Sequence, residues 1–146
     1  MKIGTSHKKE KPARALATHA DAMAALAIMA VLSDGKLRRR EMDALKEMLF
    51  LSPLFHNISH ADQYLRHIAA VIAGTEQNEL LDRAAKLLSP RLRETAYAWA
   101  VYQVAADSKF APDEHAFLNL LRKKLGLHGA LSGKIKAVVP MLLRAR

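Results

Sequence analysis

The chain has no cysteine. That absence removes disulfides, thiolate metal centres and cysteine nucleophiles. Aromatic residues make up only 5%, β-branched residues come in short clusters, and no alternating apolar–polar run lasts beyond a few positions, so nothing argues for strands. No uninterrupted apolar run approaches the ~20 residues needed to cross a bilayer. The longest, 22–32, is bounded by Asp21 and Asp34 and reads as a buried helix. Phosphate-binding loops, serine-nucleophile elbows and dinucleotide fingerprints are also missing, so no catalytic residue and no enzymatic activity is expected. Residues 1–11 are polar and basic with no apolar centre, unlike a secretory leader. The expected location is the cytoplasm.

What the chain does have is alanine and leucine in abundance. Both lose little side-chain entropy in a helix, and 146 residues with 51% hydrophobic content suffice for one domain with a real core. The spacing predicts a basic disordered arm over 1–11 and then, over 12–146, a single all-α bundle of about seven helices. The first helix runs over 12–33, with Pro12 suited to an opening turn and Gly35 placed to take a left-handed conformation beyond its end. A second covers 38–51 and stops ahead of Pro53. A third runs to Ala73, capped by Ser59 and ended by Gly74, and a fourth occupies 76–88. Ser89-Pro90 starts a fifth that reaches 106. The sixth is entered at 111–114 and ends at Gly126. A seventh, amphipathic, spans 132–144 with a bend at Pro140.

Sliding the sequence along itself gives its most informative feature. Asp34 falls on Asp107, Lys36 on Lys109, Leu37 on Phe110, Glu41 on Glu114 and Leu45 on Leu118, while Ala25, Ala27 and Val31 meet Ala98, Ala100 and Val104. Two segments thus share one plan: an apolar helix, a loop carrying Asp and Lys, then a helix opening with Glu. The leading helices are apolar on nearly every side over 22–32 and 96–106, and a helix without a polar face belongs in the middle of a bundle. Two diverged helix–loop–helix repeats, arranged as a pseudo-two-fold pair, are expected.

Ala-x-x-Ser-Asp-Gly-Lys-Leu-x-x-x-Glu over 30–41, Ala-Asp-Ser-Lys-Phe-Ala-Pro-Asp-Glu over 106–114 and Leu-Gly-Leu over 125–127 together resemble the TerB-like tellurite-resistance family. The resemblance covers most of the chain beyond the basic arm. It implies an all-helical fold, a role in stress response or tellurite resistance, acidic residues acting as a metal site and no catalytic activity. One departure is Ser108, where the first loop has Gly35.

Physical chemistry singles out the same acids. Asp34 and Asp107 come at the C-terminal ends of long helices, where a carboxylate is disfavoured by about 0.3–1 kcal/mol unless something offsets it. Glu41 and Glu114 sit in the first turns of the next helices. If the two loops meet, the four carboxylates of Asp34, Glu41, Asp107 and Glu114 converge on one divalent cation, and all-oxygen ligation favours Ca²⁺ or Mg²⁺ over Zn²⁺. The alternative is purely structural: the glutamates answer the helix dipole, and the aspartates accept hydrogen bonds from neighbouring backbone N–H groups.

The net charge of +9 invites an anionic partner, nucleic acid or membrane, through Arg38, Arg39 and Arg40 or through the C-terminal stretch 135–143 with its flanking Lys134, Lys136, Arg144 and Arg146. The charge is scattered, however, and solvated helix faces account for it. The seven histidines are badly spaced for chelation, and His115 beside Glu114 is the one nearest a candidate site. Tyr97, Trp99 and Tyr102 read as core or near-core packing. The expectation is a non-enzymatic helical module that binds a protein partner and a divalent cation through its acidic loops, with an anionic-surface binder as the alternative.

Overall fold

The computed structural model describes residues 15–35, 39–106 and 110–144. Seven α-helices and two short 3₁₀ turns account for the regular structure among them, with no strand. The helices are α1 (His19–Leu32), α2 (Arg39–Leu51), α3 (Ala61–Ala73), α4 (Gln77–Leu87), α5 (Pro90–Ala105), α6 (Pro112–Leu125) and α7 (Gly129–Val138). A 3₁₀ turn at Pro53–Phe55 follows α2, and another at Val139–Leu143 continues α7. The chain is all-α, as its composition and spacing predict.

The core is organised around α1. Every residue from Ala22 to Val31 is buried, so the helix has no solvent face, and α3, α4, α5 and α6 close around it. Its most extensive packing is with α5. Alanines on both helices, Ala24 and Ala27 on one and Ala96 and Ala100 on the other, are buried; such short side chains let backbones approach closely. α5 departs from the sequence expectation. Tyr97 is fully buried, but Ala98, Trp99 and Tyr102 are only half-buried and Thr95 is exposed. One face of this helix is therefore incompletely covered, with α2 on one flank and α7 and the last 3₁₀ turn on the other.

Helix boundaries follow local chemistry, with three corrections. Residues 1–14, and with them the basic arm and Pro12, lie outside the described residues, but 15–18 are non-helical and α1 starts only at His19. Thr18 is the reason: its Oγ1 accepts from the Asp21 N–H at 3.1 Å, while Asp21 Oδ2 accepts from the Ala17 N–H. The first bond satisfies an orphan donor of the first turn, and the second ties the residue ahead of the cap to the same turn. The segment ahead of it is tied down by Arg83 of α4, whose Nε and Nη2 both donate to the Leu16 carbonyl, and Leu16 joins the core. Second, α3 is flanked by His60 rather than capped by Ser59, and no side chain caps it. Third, α7 begins at Gly129, before Ser132, and Pro140 converts its end to a 3₁₀ turn, since proline supplies no N–H to continue an α-ladder. Elsewhere the local signals hold. Ser89 accepts from the Leu92 N–H ahead of Pro90, and Gly35 and Gly126 take positive φ values of 83° and 70°, which favour glycine.

Candidate metal centre

Three of the four acids predicted to converge do so. One carboxylate oxygen from each of Asp34, Glu41 and Glu114 lies within 4.8 Å of the others. They come from three places: Asp34 from the turn beyond α1, Glu41 from the first turn of α2 and Glu114 from the first turn of α6. Asp107, the fourth, lies outside the described residues, as do Lys36, Arg38, Ser108 and Lys109.

The burial of this cluster is the feature that spacing alone does not give. Glu41 is 0% exposed and Glu114 is 1% exposed, while Asp34 is half-buried. A glutamate in a helix's first turn ordinarily meets the dipole from the solvent side, whereas these two are turned inward. Glu114 shows what the helix gains: its Oε1 accepts from the Ala111 N–H at 2.7 Å, half of a capping box.

Carboxylates this close repel one another when ionised. At an effective dielectric of about 20, two unit charges within 4.8 Å repel by at least about 3.5 kcal/mol, which a divalent ion between them would offset. Ca²⁺ takes oxygens at about 2.3–2.6 Å and Mg²⁺ at about 2.0–2.1 Å, and carboxylate oxygens within 4.8 Å of one another are compatible with either.

A residue that sequence reasoning passed over belongs to the same quarter of the fold. Gln103 of α5 is completely buried, one helical turn ahead of position 107. Its Nε2 donates to the Ala44 carbonyl at 3.3 Å, one turn along α2 from Glu41, and its Oε1 accepts no hydrogen bond. Buried polar atoms are nearly always satisfied, so this amide oxygen marks a polar spot inside an apolar helix. The signal was available as the lone amide in the run 96–106.

The other candidates do not gather. Among the described residues no histidine joins a group of potential ligands; His56, His60, His67 and His115 are exposed, and His115 tilts against Phe110 with ring centroids 5.1 Å apart. Arg39 and Arg40 are exposed at the start of α2. No described helix is long and apolar enough to cross a membrane. Compared with protein-family profiles, curated proteins and solved structures, the chain finds no match.

Proposed function

We propose that this chain is a non-enzymatic, TerB-like helical module that binds one divalent cation, Ca²⁺ or Mg²⁺ in preference to Zn²⁺, and serves a stress response of the tellurite-resistance kind through a protein partner. The observation that carries the reading is the meeting of Asp34, Glu41 and Glu114 within 4.8 Å, two of them fully buried. Asp107, matching Asp34 in the second segment, is assigned as the fourth ligand. The paired arrangement, an apolar helix followed by a helix with an inward glutamate in its first turn, is what duplication of one helix–loop–helix unit would leave. In this reading the cation ties the turn after α1 to the starts of α2 and α6, so loading stiffens that end of the bundle and presents it to the partner.

Thermal unfolding of metal-stripped protein, with Ca²⁺, Mg²⁺, Mn²⁺ and Zn²⁺ added in turn, tests the site. An ion at a hundred times its dissociation constant stabilises by about 2.7 kcal/mol, or about 5–10 °C for a chain of this size. Ca²⁺ or Mg²⁺ is expected to give the largest shift, and Asp34→Asn and Asp107→Asn each to reduce it sharply. If no ion moves the midpoint, the acids are helix-end groups and the cation reading is wrong.

A further inference from the structure

α2 and α3 both pack against α1, but they make little contact with each other. A crevice of about 220 Å³ is left between them, over the second half of α1. Its apolar lining is Ile28 and Leu32 of α1, Met42 and Leu45 of α2, and Leu65 and Ala69 of α3. Ile28, Leu45 and Leu65 are buried and form the base, whereas Leu32 is 37% exposed at the edge. Ala69 contributes only a methyl group, so α3 leaves the space towards α2 unfilled.

Two charged side chains also line the crevice, Asp62 and Arg66, one turn apart on α3. Their situations differ. Asp62 meets Lys46 Nζ at 3.0 Å, a bridge from α3 to α2, so its charge is already offset. Arg66 is exposed and, among the described residues, forms neither an ion pair nor a side-chain hydrogen bond. A ligand seated on the apolar base therefore meets a net positive charge at the mouth. A guanidinium holds a carboxylate through two parallel N–H donors. The volume limits the apolar part of such a ligand. A dry cavity of about 150 Å³ takes benzene, so 220 Å³ suits a body of roughly eight carbons. A helix or a two-chain lipid is too large.

We propose that this crevice binds a small amphipathic carboxylate, a medium-chain aliphatic acid. Its chain lies over Ile28, Leu45 and Leu65, and its carboxylate accepts from Arg66. Burial of the chain supplies the affinity, and the charge-assisted bond selects an anion. A cationic head group gains nothing at Asp62, which Lys46 already occupies, and is repelled by Arg66. None of the crevice residues belongs to the acidic cluster of Asp34, Glu41 and Glu114, so the two sites can be tested separately.

Methyl NMR of the full chain provides the test, with octanoate titrated below its micelle-forming concentration and 1-octanol and octylamine as neutral and cationic counterparts. Saturable shifts are expected at the methyl groups that line the crevice. Octanoate should bind at least about tenfold more tightly than octanol, and octylamine should bind most weakly. Arg66→Gln should reduce octanoate to the affinity of octanol and leave octanol itself unchanged. Ala69→Leu, which fills the crevice, should abolish binding of both, with the unfolding midpoint confirming that each variant is folded. Octanoate that fails to saturate overturns the inference, as do shifts that fall on the flank of α5 around Trp99 instead. Tightest binding by octylamine, or an octanoate preference that survives Arg66→Gln, overturns it as well.

Discussion

The two central helices begin from similar sequences and end in different surroundings. α1 and α5 are both rich in alanine, and both carry their apolar residues on nearly every side. Yet α1 is closed in by four other helices, while α5 keeps an open flank over Thr95, Ala98, Trp99 and Tyr102. Composition makes a helix able to be central; whether it is covered depends on how many other helices reach it. The two sites argued above both border the enclosed helix. The acidic cluster sits at its end, where α1, α2 and α6 meet, and the apolar crevice lies over α1 between α2 and α3.

The sharpest way to break the comparison is to change side-chain volume on both helices. Leu26→Ala in α1, where the residue is fully buried, is expected to cost about 2–5 kcal/mol by leaving a cavity. Ala27→Leu should cost about 1–3 kcal/mol through overpacking. Ala98→Leu, on the open flank of α5, should stay within about 0.5 kcal/mol. Urea denaturation of the three variants checks this, and equal costs at positions 27 and 98 would show that α5 is as enclosed as α1.

A smaller effect is expected at the helix starts. Thr18→Ala and Ser89→Ala each remove a side-chain acceptor from an N–H of the first turn, at about 1 kcal/mol apiece. Thr18 also orients the strand of chain that docks Leu16 into the core, so its loss should exceed that at Ser89. The unfolding midpoint in denaturant reads the difference directly.

The smallest effect is electrostatic, and it again compares the two helices. Tyr64 of α3 donates to Asp21 Oδ1 of α1 at 2.7 Å; burial first, then that hydrogen bond and the negative charge of Asp21, raise its pKa strongly. Tyr102 of α5 is raised as well, by burial and then by Glu47. A raised folded-state pKa means that the folded chain holds the proton more tightly than the unfolded one. The resulting stability is fully present below tyrosine's ordinary value of about 10 and is lost as pH rises above it. Thermal midpoints followed through that alkaline range should fall, and Tyr64→Phe should flatten the fall more than Tyr102→Phe. A larger flattening at Tyr102 would reverse the ranking of the two contacts.

How much was legible beforehand depended on how local each cause is. Ser89-Pro90 and Gly126 marked helix ends correctly because caps and left-handed turns are decided within a few residues. Thr18 with Asp21 was an equally local signal for the start of α1, passed over in favour of Pro12. The pairing of Asp34 with Glu41 and Glu114 was readable from repeated spacing, but their depth was not, since an acid in a first turn looks the same in sequence whether it faces water or the core. Gln103 was missed because a single amide in an apolar run carries no periodicity.

The sequence by itself determined that this protein is helical, roughly where its helices begin and end, and which acids could act together. Those outcomes rest on backbone propensity, capping and the 3.6-residue period, all short-range. Only the tertiary structure decided that Glu41 and Glu114 lie inside while Phe50 and Leu142 lie outside. Burial is set by which helices arrive on each side of a residue, and neighbours distant along the chain determine that.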